Sequence, residues 1–145
     1  MPEKARDVAL NLLARRDHSR LELRHKLIQR GVMLPTIDAL LDQLVGEGLI
    51  DEARYAEVYA HGRSDKGYGP LRIHGELRER GIDEAIIFST LSKLDDYWMS
   101  NLAKLHYKRW SSTKIESMAD EVKRMRFLRQ RGFTLEQIKQ LFKTL

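Results

Sequence analysis

A six-residue phrase occurs three times in the chain. It reads Leu27-Ile28-Gln29-Arg30-Gly31-Val32, then Leu77-Arg78-Glu79-Arg80-Gly81-Ile82, then Leu128-Arg129-Gln130-Arg131-Gly132-Phe133. The glycines stand 50 and 51 residues apart, and the match runs past them. Six residues beyond each is an isoleucine (Ile37, Ile87, Ile138), and thirteen beyond is a leucine (Leu44, Leu94, Leu145). Self-similarity at a period of about 20–50 residues marks one supersecondary unit copied along a chain. Three copies of one unit are expected, with boundaries at residues 1–48, 49–94 and 95–145.

The phrase has a mechanical meaning. Arginine suits the negative end of a helix dipole, and glycine takes the left-handed cap conformation that costs other residues about 1–2 kcal/mol. The apolar residue after each glycine can fold back over the helix just finished. Each copy therefore reads as helix, glycine turn, helix, with a further helix in front.

The flanking signals fill in nine helices. Ala5 to about Arg16 is the first, with Val8, Leu12 and Leu13 on one stripe. Ser19-Arg-Leu-Glu22 is a capping box opening the second, which stops at Gly31. Pro35 suits the first residue of the third, and Gly46-Glu47-Gly48 ends it. Asp51 caps the fourth, whose Tyr55, Ala56, Tyr59 and Ala60 share one face. Ser64 to Pro70 is the longest non-helical signal. Leu71–Arg80 and Asp83–Leu94 follow. Asp95-Asp96 opens a helix carrying Trp98, Leu102 and Leu105, Ser111-Ser112-Thr113 breaks it, and Asp120 starts a basic helix to Arg131. Thr134-Leu-Glu-Gln137 is a second capping box before the last helix. No stretch alternates as a strand does. The expected fold is all-α: three tandem three-helix repeats in an elongated array, because each unit touches mainly its neighbours.

Composition removes several function classes. There is no cysteine, so disulfides and thiolate metal sites are excluded and a reducing cytoplasm is the expected setting. No apolar run approaches the ~20 residues that span a bilayer, so no membrane association is expected. The glycine-rich Gly67-Tyr68-Gly69-Pro70 lacks the Gly-Lys-Ser/Thr ending that cradles phosphates. The five histidines show no metal-ligand pairing at helical spacing. Acidic pairs (Asp51-Glu52, Asp83-Glu84, Asp95-Asp96) sit where helices begin and read as caps. Neither catalytic residues, nor a cofactor, nor a metal are expected, and the chain reads as a non-enzyme.

Charge is more informative. The net charge is +5, and residues 95–145 alone carry 11 basic against 6 acidic side chains. The excess points to an acidic or nucleic-acid-bearing partner for the third copy. Lys123, Arg124, Arg126, Arg129 and Arg131 cover most of its basic helix. Phe127 falls in the column of Lys26 and Glu76, where exposure is expected. It can stack on a base, insert into a protein groove, or pack under Phe133 or the final helix; these readings stay open. Tyr55, Tyr59 and Trp98 have core spacing, while Trp110 belongs with the other aromatics of a conceivable binding array. Tyr68, in a glycine loop beside Arg63, Lys66 and Arg72, is the second surface candidate, together with Arg72.

Taken in order, Ala9-Leu-Asn-Leu-Leu-Ala-Arg-Arg16, Ser19-Arg-Leu-Glu22, Gly48-Leu-Ile-Asp-Glu-Ala-Arg-Tyr-Ala56, Gly69-Pro-Leu-Arg-Ile73, Leu77 to Ile82 and Phe127-Leu-Arg-Gln-Arg-Gly-Phe133 resemble the RecX family of recombinase regulators. The resemblance covers nearly the whole chain, which begins close to its first helix, so a leader of longer members is expected to be missing. It implies a curved array of three three-helix repeats, acting as a monomer in DNA repair and the SOS response. It implies binding in the groove of the RecA filament on single-stranded DNA, with inhibition of strand exchange, ATPase and coprotease activity. It carries over no catalytic residues and no contact set.

Two other readings compete. A sequence-reading DNA regulator would need Arg, Asn or Gln on the helix after each glycine turn. Those helices contain no arginine, and the arginines lie on the helix before the turn instead. A plain single-strand binder acting without RecA would show tight, salt-sensitive binding to bare DNA.

Overall fold

The structure, a computed structural model, describes the backbone of residues 2–145 and the side chains of residues 4–145. Among these residues it forms nine α-helices and no strand. The first three are α1 (Pro2–Arg15), α2 (Arg20–Gln29) and α3 (Leu34–Gly46). The next three are α4 (Glu52–Asp65), α5 (Pro70–Glu79) and α6 (Glu84–Ser92), and the last are α7 (Asp95–Trp110), α8 (Met118–Gln130) and α9 (Leu135–Phe142).

The recurring phrase closes α2, α5 and α8 in one way. Gly31, Gly81 and Gly132 take φ of +83°, +79° and +102°. The N–H of the next residue bonds back to the leucine carbonyl: Val32 to Leu27 at 3.2 Å, Ile82 to Leu77 at 3.1 Å, Phe133 to Leu128 at 3.3 Å. The glycine N–H bonds to Ile28, Arg78 and Arg129 in turn. This is the paired-bond Schellman stop, which satisfies carbonyls a helix end otherwise leaves open. Both capping boxes form: Ser19 Oγ accepts from the Glu22 N–H at 3.1 Å and Thr134 Oγ1 from the Gln137 N–H at 3.0 Å, each answered by the reverse bond.

Several boundaries differ from the sequence reading. Residue α3 begins at is Leu34, with Pro35 in its first turn. Helix α4 runs on through Ser64 and Asp65, because buried Ser64 accepts a 2.7 Å bond from Asn101 of α7. Pro70 is then already the first residue of α5, and the longest break lies at 111–117 instead. Helix α6 ends at Ser92, and Leu94 is buried at the start of α7. Helix α8 is capped by Ser117 and not started by Asp120, whose N–H donates to Ser117 Oγ at 3.0 Å. Of the acidic pairs, Asp51 accepts the Arg54 N–H, Asp83 makes no side-chain cap bond, and Asp95 and Asp96 lie inside the first turn.

The apolar columns form two cores. Leu23, Leu27, Ile37, Leu41 and Leu44 close with Ala5, Ala9 and Leu12 into one that holds α1–α3 together. The equivalents in α4–α9, including Leu77, Ile87, Leu128 and Ile138, merge into a second that runs unbroken through six helices. Successive repeats meet by one rule. A Cβ on Gly81 would stand 2.8 Å from Cβ of Leu21, and one on Gly132 would overlap Cβ of Arg72; in both cases the neighbour is the residue sixty positions earlier. The turn that ends each second helix is thus seated on the start of the second helix in the repeat before. Between the last two repeats the seating includes backbone bonds, Gly69 N–H to Arg131 O at 2.7 Å and Leu71 N–H to Gly132 O at 2.9 Å. Between the first two the turn meets the Leu21 side chain, and the junction also carries the paired bonds of Arg54 to Asp17 at 3.0 and 3.1 Å.

Candidate partner-binding face

The second helices show how the face is built. Position four before the cap residue holds Lys26, Glu76 and Phe127, and all three are half-buried, not exposed. The column faces the end of the first helix of its own repeat. Lys26 Nζ lies 2.8 Å from His18 Nε2, Glu76 accepts from Arg63, and the Phe127 ring meets Trp110 edge-on at 5.5 Å between centroids. In the third repeat that contact is therefore aromatic, and it sits at the surface end of α7.

From it runs a ladder of alternating arginines and rings. The Arg109 guanidinium lies 5.5 Å from the centre of the Trp110 ring and 4.3 Å from that of Phe127. Arg131 lies 5.5 Å from Phe127 and 4.8 Å from Tyr68. Arg63 and Arg72 complete the surround of Tyr68 at 3.9 and 4.6 Å. Cation–π contacts of this kind are worth about 0.5–1 kcal/mol each at exposed sites. They hold the rings without neutralising the cations. Among the described residues, Arg109, Lys123, Arg126, Arg129 and Arg131 have no carboxylate within 4.0 Å.

Glu76 is the one acid inside the ladder. Burial pushes its carboxyl up, but hydrogen bonds from Arg63 at 2.8 and 2.9 Å and from Tyr59 Oη at 3.1 Å outweigh it and leave the group below the usual carboxylate range. It stays charged at neutral pH and fixes Arg63 beside Tyr68, with a longer 3.4 Å contact to Arg72. Arg72 also donates to the Gln130 carbonyl at 3.2 Å, so the ladder crosses the junction between the last two repeats.

The sequence candidates thus separate. Lys123, Arg126 and Arg129 are exposed at three-residue spacing along α8. Tyr68, Arg72, Phe127 and Arg131 are brought together. Arg124 does not belong to the face: it is 2% exposed, bound to Asp120 at 2.9 Å and donating to the carbonyls of Thr113 at 2.6 Å and Lys114 at 3.1 Å. Its guanidinium pins the break after α7 and so closes the end of the repeat. Arg63 and Arg109 join the face though neither stood out as a site residue, and Trp110 takes a defined place in it. The signal for the last two was local: a Lys108-Arg109-Trp110 helix end just before a Ser-Ser-Thr break.

A triplicated helical array with a cationic, ring-studded face that spans two of its units defines an all-α tandem-repeat protein. Its three units match, in order, the RecX first three-helix domain over residues 5–44, the second over 51–91 and the third over 95–142. The chain belongs to the RecX family of regulatory proteins. It is 39% identical to the Regulatory protein RecX of Pseudomonas entomophila over 97% of this chain and 90% of that one. To the Regulatory protein RecX of Halorhodospira halophila it is 37% identical over 94% and 85%. The fold is that of the crystal structure of RecX from Lactobacillus salivarius, with a TM-score of 0.87 over 99% of this chain and 96% of that one at 24% identity. Among the described residues no helix is long and apolar enough to cross a membrane.

Proposed function

We propose that the chain binds the filament that RecA forms on single-stranded DNA and restrains it, lowering strand exchange, ATP hydrolysis and coprotease activity. It acts as a monomer in the cytoplasm, within DNA repair and the SOS response. Family membership supplies the regulatory class. The observation that carries the rest is the arginine–aromatic ladder from Arg72 to Trp110, continued along α8 by Lys123, Arg126 and Arg129; of its cations Arg63 and Arg72 meet Glu76, while Arg109, Arg131 and the three on α8 have no carboxylate partner among the described residues. Uncompensated cations in a row favour a polyanion and speed its capture. A row of repeats offers an extended surface for a polymer.

The test is the ATPase of RecA on single-stranded DNA. Protein added below the RecA concentration should slow hydrolysis and shorten the filaments seen by electron microscopy. Unchanged hydrolysis and length at stoichiometric excess would refute the proposal.

A further inference from the structure

Three hollows at the repeat junctions contain both signs of charge. One holds Lys104 and Lys108 with Asp65, one Arg16 and Arg80 with Asp17 and Glu22, and one Arg72 and Arg129 with Glu76 and Glu79. A fourth, between the end of α7 and one side of α8 from Ala119 to Gln130, is different. It holds about 280 Å³ and is lined by Arg109, Lys123 and Arg126 around Trp110 and Phe127, with no acid among the described residues of its wall. Its floor is rigid. Phe127 and Trp110 lock edge-to-face at an interplanar angle of 81°, and buried Arg124 holds the 113–114 backbone that flanks Trp110.

Rings and guanidinium planes are the surfaces on which unpaired bases stack, and lysine and arginine at a groove's rim take the adjoining phosphates. A volume just under the roughly 300–1,000 Å³ of drug-sized pockets suits one nucleotide unit of a longer strand. We propose that this groove is a nucleotide subsite for single-stranded nucleic acid: one unpaired base lies on Trp110 and the Arg109 guanidinium, and the flanking phosphates pair with Lys123 and Arg126. The subsite deepens the filament-binding reading of the same face, since it gives the chain its own hold on the strand. A duplex, whose bases are already stacked, has nothing to place in it.

Trp110 reports directly. The other tryptophan, Trp98, is 4% exposed in the core, so a change in emission on binding belongs to Trp110. The protein without RecA is titrated with a short oligothymidylate, with an abasic strand of equal length and charge, and with thymidine monophosphate. Oligothymidylate is expected to shift Trp110 emission and to bind about tenfold more tightly than the abasic strand. The double variant Lys123→Gln/Arg126→Gln should weaken it and flatten the dependence of log affinity on log salt by about 1.4. Both positions are exposed, so the variant's melting temperature should be unchanged.

Equal affinity for the two strands, unmoved emission at saturation, or a double variant that binds as the parent would overturn the subsite. Saturation by the monophosphate as readily as by the strand would also overturn it, marking a site for free nucleotide. These outcomes separate from the filament reading. A protein that slows RecA but binds both strands alike keeps its regulatory role and loses the subsite; one that binds oligothymidylate and leaves RecA untouched does the reverse.

Discussion

Arg124 shows why a residue's neighbours in sequence misplace it. It stands between Lys123 and Arg126 in a basic helix, yet its side chain turns inward to Asp120, two carbonyls and His106 Nε2 at 3.2 Å. Which face of α8 is covered is decided by the 111–117 connection, and no local pattern encodes that. Arg124→Ala leaves those carbonyls unpaired and should cost about 2–3 kcal/mol in urea denaturation, whereas Arg126→Gln should cost under about 0.5 kcal/mol. The same environment governs His106. Burial and then the Arg124 charge push its pKa below the ordinary value, and burial does the same for His18, which is held between the Arg16 carbonyl and Lys26. Each histidine is neutral in the fold and takes up a proton more readily once unfolded. Their contribution is therefore complete above about pH 6.5 and is lost as pH falls below it. The urea midpoint should drop between about pH 7.5 and pH 5.5, and His106→Gln should drop less over that interval.

At the scale of elements, the Schellman turns and the two capping boxes were legible because each is written in consecutive residues. Helix α2 and helix α9 open where Ser19 and Thr134 said they would. Of the ends that went astray, those at Ser64 and Leu94 are where a tertiary partner takes the residue, Asn101 and the following helix; at Asp120 the cap is Ser117, three residues earlier. The same turn also carries different loads in different copies. Gly31 has nothing within 4 Å of a built Cβ among the described residues, Gly81 has Leu21, and Gly132 has the backbone of Arg72. Replacement by alanine should cost about 1–2 kcal/mol at Gly31 from the left-handed conformation alone. Larger losses are expected at Gly81, where the Leu21 side chain must shift, and the largest at Gly132, where main chain stands in the way. Equal melting temperatures for the three variants would show that the junctions do not rest on these turns.

Across the whole molecule, triplication was readable from the columns, but the way the units join was not. The spacing treats the repeats as equals, whereas the second and third share one core and the first keeps its own. The asymmetry comes from residues outside the repeating columns, such as Gly69 and Asn101, which no periodicity marks. A fragment of residues 51–145 should keep its helical circular dichroism and melt cooperatively, while residues 95–145 alone, deprived of Tyr55, Ala60 and Leu77 in their core, should not. The ladder belongs to the same joined half, so partner binding is expected to reside there, with the first repeat attached through the Arg54–Asp17 pair.

The most direct measurement is the affinity of the chain for RecA assembled on single-stranded DNA, taken across a range of salt for the parent and for Arg109→Gln/Arg131→Gln. Removing two guanidiniums that no carboxylate of the described residues pairs should weaken binding by about tenfold or more and make it less sensitive to salt, with the fold intact. Affinity and salt dependence identical to the parent's would mean that the filament meets another face, and the ladder would have no part in regulation.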